Sequence, residues 1–198
     1  MKELRIRITF AEGVLGTSPA DKEIYENYVG GNAPDAPSLE EEIAAVGVGE
    51  VVEKGMTVFP RAPDGTPFLY DYQIKGFFKD ACGMLARVKT SESAKLKAYR
   101  KIIDGLIFVK PRQIPLSLSG EIEVCQRPLR AQTAQGERVA LSISEEAPAG
   151  TSAELTVALL DDAHEAALRE WLDYGAMRGI GQWRNSGKGQ FAWKETAG

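Results

Sequence analysis

A chain of 198 residues, 43% of them hydrophobic, can bury one sizeable core, and with no Pro/Ser-rich linker a single domain over residues 1–198 is expected. The net charge of −4 hides a segregation: residues 1–72 carry 6 Lys/Arg and 13 Asp/Glu, residues 73–138 carry 13 and 6, and residues 139–198 carry 5 and 9. No apolar run approaches the roughly 20 residues that span a bilayer, and Met1-Lys2-Glu3-Leu4-Arg5 is unlike a signal peptide, so a cytoplasmic protein with no membrane partner is expected.

Leu4, Ile6, Ile8 and Phe10 alternate with Glu3, Arg5, Arg7 and Thr9, the period of a half-buried strand that Gly13 and Gly16 then break. Ser18-Pro19 predicts a short helix through about Val29, ended by Gly30-Gly31. Ser38-Leu39-Glu40-Glu41 is a capping box that predicts a second helix to about Gly47. Thr57 to Pro60 and Phe68 to Tyr70, joined by Pro63-Asp64-Gly65-Thr66, predict a β-hairpin. Ile74, Phe77, Phe78, Ala81, Cys82 and Leu85 recur at helical spacing and predict a buried helix over 73–88. A further helix is expected from Ser91 to Ile103, stopped by Asp104-Gly105, followed by a strand over 106–109. Strands are expected over 121–125, 138–144 and 153–160, the last two joined by the turn Pro148-Ala149-Gly150-Thr151. Asp161-Asp162 caps a helix with Ala163, Ala166, Ala167, Trp171 and Leu172 on its apolar positions, and Gln190 to Lys194 predicts a final strand. The order of elements is α+β.

The basic middle of the chain suits a polyanionic partner, because local potential rather than net charge attracts one. Lys95, Lys97 and Lys101 read as the solvated faces of helices. Cys82, Cys125 and His164 are too few, and too scattered, for a zinc site, so no metal and no cofactor are expected. Between the last helix and the last strand lies the loop Gly179 to Gly189, with Gly179, Gly181, Gly187 and Gly189 separated by Trp183, Arg184, Asn185, Ser186 and Lys188. Glycine permits positive φ and close backbone approach, and such loops make anion-binding nests. A Walker loop is excluded: five residues separate Gly181 from Gly187-Lys188, where the motif needs four, and Gly189 replaces its Ser/Thr. A dinucleotide fingerprint is excluded because the loop precedes a strand rather than a helix. The plain alternative is a glycine-rich connection with no ligand.

This loop resembles the glycine-rich loop of the RAMP superfamily, the ferredoxin-like (RRM-like) RNA-binding subunits that form the backbone of type III CRISPR effector complexes. Further segments are similar in the same order. Ile8 to Thr17 resembles the first strand and its exit, and Tyr72-Gln73-Ile74-Lys75-Gly76-Phe77-Phe78-Lys79-Asp80 the start of the first helix. Ser144 to Thr151 resembles the turn before the following strand, and Arg127-Pro128-Leu129-Arg130 with Gly136-Glu137-Arg138 a basic hairpin. The departures are the lack of serines before Lys75 and of an Asp after Arg130. The resemblance implies an antiparallel sheet with helices on one face and an insertion at about residues 19–53. It implies single-stranded RNA as ligand, and further copies of the chain or CRISPR effector subunits as partners. Lys75, Arg127, Arg130, Arg138, Arg184 and Lys188 would be the nucleic-acid-binding residues, with Gly179, Gly181, Gly187 and Gly189 shaping the loop. A stand-alone member of phage or prophage origin would suit this length.

No catalytic constellation emerges. His164 reads as a surface residue near Asp161 and Asp162, and Asp21, the one candidate early-loop acid, falls in a predicted helix. The alternative function is a protein–protein inhibitor or assembly factor that keeps the fold without the RNA path, and a third is a binder of small phosphorylated ligands.

Overall fold

The alternation at the start of the chain sorts side chains between two faces, and Leu4, Ile6, Ile8 and Phe10 are buried while Arg5 and Thr9 stay exposed. The computed structural model describes residues 1–20, 56–133 and 136–196. These form strands β1 (Lys2–Phe10), β2 (Val14–Leu15), β3 (Ser18–Pro19), β4 (Thr57–Val58) and β5 (Phe68–Tyr70), then helices α1 (Asp71–Leu85) and α2 (Tyr99–Leu106). Strands β6 (Ile107–Lys110), β7 (Gln113–Ser117), β8 (Glu123–Thr133), β9 (Gly136–Ala147) and β10 (Ser152–Leu159) come next, then helix α3 (Glu165–Arg178) and strand β11 (Phe191–Glu195).

The main sheet runs β11-β1-β10, with β6 and β7 sharing the far side of β10 and β5 beyond β7. Pairing is antiparallel throughout, with Leu4 opposite Val157 and Ile8 opposite Trp193. Helix α1 connects β1 to β6, and α3 connects β10 to β11, so the core repeats β-α-β twice in the order 4-1-3-2. This is the ferredoxin-like arrangement, and the fold is α+β with the helices packed on one face. Phe77, Phe78, Ala81 and Cys82 of α1 and Leu168, Trp171 and Leu172 of α3 close the core over β1. Each large side chain fully buried there contributes roughly 1.5–3 kcal/mol. Phe191 packs edge-on against Phe10 and Phe77, with ring centroids 6.3 and 5.4 Å away. The indole N–H of Trp171 donates to Ser93 Oγ at 2.9 Å, which satisfies the one polar atom of a fully buried ring.

A second, smaller sheet orders β2-β9-β4-β3, with β8 along the other side of β9. Its frame is the long β8–β9 hairpin, paired from Glu123–Glu146 to Thr133–Gly136.

Several expectations are corrected. Ser18-Pro19 does not open a helix: it pairs with Thr57-Val58 as the terminal strand of the small sheet, where a proline without an N–H is tolerated. The rest of that helix and the Ser38 helix lie outside the described residues, as does nearly all of the expected insertion. The hairpin over 57–70 is only an Arg61–Pro67 bridge around its turn, and β4 joins β9 while β5 joins β7. Ser91 does cap, accepting from Ala94 N at 3.0 Å, but it leads into a 3-10 turn at Ser93–Lys95. The helix itself starts at Tyr99, after Ala98 at φ 53°, and runs through Asp104-Gly105 until Ile107 enters the sheet. Among the described residues no helix is long and apolar enough to cross a membrane.

Candidate nucleic-acid interface

Helix α3 ends on Gly179 at φ 72°, ψ 170°, a conformation open essentially to glycine alone. The two arms of the loop then close on each other: Ile180 N donates to Gly189 O at 2.9 Å, and Gly189 N donates to Gly13 O at 2.9 Å. A Cβ on Gly189 would lie 1.9 Å from Ile180 O. Gly181 and Gly187, at φ 86° and 88°, turn the intervening segment, and Trp183 adopts φ 53° ahead of a 3-10 turn at Arg184–Ser186. The glycines therefore shape the loop, and its tip carries the partly exposed indole of Trp183.

Beneath the tip lies Arg127 of β8, 3% exposed. Its Nη2 donates to Gln182 Oε1 at 2.7 Å, its Nη1 donates to Ser144 Oγ at 3.3 Å, and its guanidinium lies 5.2 Å from the centroid of the Trp183 ring. Its Nε is buried without a partner. Gln182 Nε2 extends the network to Gly16 O (3.3 Å) and Thr57 Oγ1 (3.4 Å). One arginine thus fastens the basic hairpin, the glycine loop and the exit of β1.

On the other side of the loop, Arg184 Nη1 donates to Asp80 Oδ2 at 2.7 Å, and Arg178 Nε donates to the same oxygen at 2.9 Å. Burial, the largest single influence, disfavours the charged form of Asp80. The hydrogen bond from Arg178 and the charges of Arg184 and Arg178 together outweigh it, and hold the carboxyl below the usual aspartate range. A group depressed in this way stabilises the fold above its unfolded pKa, and that contribution is lost as pH falls through its folded value. Asp80→Asn is expected to flatten the pH dependence of stability between about pH 5 and pH 2, read from urea midpoints. Equal slopes in the two proteins would refute it.

A cleft of about 350 Å³ opens between the loop and α1, lined by Thr17, Tyr72, Gln73, Gly76, Asp80 and Arg184 among others. Gln73 positions its wall twice, accepting from Tyr70 N at 2.7 Å to start α1 and donating to Thr17 Oγ1 at 2.6 Å. Tyr72 stacks on Tyr70, with centroids 5.0 Å apart, at the cleft's mouth.

The expected binding residues are thus only partly brought together. Arg127, Arg184, Lys188 and the four glycines meet around the loop. Arg184 is already paired with Asp80, and Lys188 with Glu146. Lys75 is placed elsewhere: it faces α2, where its Nζ donates to Asp104 O at 3.2 Å and sits 4.9 Å from the Phe108 ring centroid. Arg130 and Arg138 occupy the far half of the β8–β9 hairpin, and their side chains lie outside the described residues. Asp80, Gln182 and Thr17 were not anticipated. The cleft face of α1 was nevertheless readable, since residues 73, 76, 77 and 80 share one side of a helix. His164 ends the 3-10 turn before α3, and Asp21 lies outside the described residues. Among the described residues no cluster of three or more His, Cys, Asp or Glu could hold a metal.

No family model and no curated protein matches the chain. Among solved structures it is similar to a chain of the type III-B Cmr-beta cryo-EM structure bound to cognate target RNA, at 11% identity and a TM-score of 0.49 over 99% of this chain. It spans 60% of the length of that chain. It is also similar to a chain of a type IV-B CRISPR complex, at 13% identity and a TM-score of 0.48, over 99% of this chain and 91% of the other.

Proposed function

We propose that the chain is a non-catalytic RNA-binding module of the CRISPR-associated RAMP type, gripping a single strand at the glycine loop and the adjoining basic hairpin. The observation that carries this reading is the Arg127 network, which makes loop and hairpin one site and holds Trp183 at its rim. Trp183 offers a π-face for a base, Arg184 and Lys188 offer charge for phosphates, and the cleft beside Tyr72 can take a nucleotide. The ion pairs of Arg184 and Lys188 keep these cations in place until a phosphate displaces a carboxylate. The same pairs also favour the alternative, a protein-binding factor that has kept the fold, and RNA titration separates the two.

Labelled single-stranded RNA of about 20 nucleotides, longer than a typical single-domain site, should bind the full chain with an affinity that falls steeply with salt. Arg184→Ala with Lys188→Ala should lower the salt slope by about 1.4, since each phosphate contact on a single strand contributes about 0.7. Trp183→Ala should weaken binding about tenfold, the low-to-middle range of one base stack. Absence of binding to any single-stranded RNA would overturn the reading in favour of the protein-binding factor.

A further inference from the structure

A second basic surface adjoins the cleft, and its two arginines, Arg87 and Arg100, belong to none of the sequence motifs of the loop, the first helix or the basic hairpin. Where α1 ends and α2 begins, a groove of about 440 Å³ runs between the two helices. Its floor is Tyr99 with Met84, and Gly83 makes that floor, because a Cβ there would stand 2.8 Å from the Tyr99 hydroxyl. Arg87 and Arg100 flank it, both exposed, and neither has a carboxylate partner among the described residues. Lys79 is balanced by Asp104 at 2.6 Å. The acid on the rim, Asp80, is already shared between Arg178 and Arg184. The surplus is therefore two free guanidiniums in the groove and one more at the shared carboxylate. Asp80 lines both groove and cleft, so the two adjoin at this residue.

We propose that this groove is a second binding segment for the same RNA strand, taking its phosphates on Arg87 and Arg100 and a sugar or base over Tyr99 and Met84. The proposal rests on the RNA reading of the loop. An aromatic and thioether floor between unpaired guanidiniums matches a nucleotide, which has an apolar face and a charged edge, better than a bare inorganic anion. Two arginines that line one groove without a carboxylate partner among the described residues add to its positive potential, and a bound phosphate chain relieves this. The path then runs from Trp183, past Asp80 and Arg178, to the gap between the helices.

The test uses the full chain and labelled oligouridylates of about 6 and about 20 nucleotides, the shorter able to fill a single site and the longer to reach both. Arg87→Ala with Arg100→Ala should weaken the longer RNA about tenfold and lower its salt slope by about 1.4, leaving the shorter one unchanged. Arg87→Lys with Arg100→Lys should restore the slope, since phosphate neutralisation needs only the charge. Unchanged affinity and slope for the longer RNA, with wild type binding both, would overturn the groove and leave the loop site standing. An equal loss for both lengths would also overturn it. Wild type binding neither RNA would overturn the loop reading and the groove together.

Discussion

Replacing Gly189 with alanine is expected to destabilise the fold by about 3 kcal/mol or more. Two causes act together. The residue sits at φ 73°, where a side chain strains the backbone by roughly 1–2 kcal/mol. Its Cβ would also stand 1.9 Å from Ile180 O and 3.0 Å from Ile180 N, backbone atoms that cannot rotate away. Relief requires parting the two arms of the loop, which breaks the Ile180–Gly189 bond and the Gly189–Gly13 bond. Gly187→Ala is the control. At φ 88° it carries the same kind of strain, but its nearest neighbour is a Gln190 side-chain oxygen at 4.0 Å, so about 1 kcal/mol is expected. Urea unfolding of the two variants measures the difference. Equal losses would mean that the arms of the loop are not held as closely as the structure places them.

The contrast between these glycines also marks what the sequence could and could not convey. Four glycines after a helix announce a tight loop, and the position of that loop before a final strand was legible. Which glycine is crossed by another backbone depends on how the arms of the loop meet: Ile180 lies against Gly189, and Gly13, beyond the end of β1, accepts the Gly189 N–H. The elements read correctly are those whose signal is local and periodic: the alternation of β1, the apolar stripes of α1 and α3, and the turn at Pro148–Thr151. Those misread depend on distant partners. Ser18-Pro19 reads as a helix start until Thr57-Val58 pairs with it, and Thr57 sits beside Ser144 in a parallel pairing of one residue, too short to leave a pattern. Strand β7 has only Ile114 and Leu116 as inward residues, with a proline between them, and local reading passes over it. The site divides in the same way. Arginines and glycines of the loop stand out by composition, whereas Asp80 looks like any helical acid until the fold brings Arg178 and Arg184 to it.

Arg127 provides the sharpest test of how that site works. A guanidinium 3% exposed, with no carboxylate partner among the described residues and a partnerless Nε, is costly to bury, and aromatic and neutral polar groups offset part of that cost. The carboxylates nearby are engaged: Glu146 holds Lys188, and Glu145 holds Arg61 and accepts from Phe59 N. Arg127→Ala leaves a cavity and strips Gln182 Oε1 of its donor, so a loss of about 2–4 kcal/mol is expected. Arg127→Met refills most of the volume and removes the buried charge, so it should lose about 1–2 kcal/mol. The folded methionine variant then separates two roles. If Arg127 acts by positioning Trp183 and Gln182, RNA affinity falls while the salt slope stays at the wild-type value. If it meets a phosphate directly, the slope falls by about 0.7. Because the guanidinium is covered by Trp183, Gln182 and Ser144, the unchanged slope is the expected result. A reduced slope would mean that the indole swings aside when RNA binds, exposing the arginine beneath it.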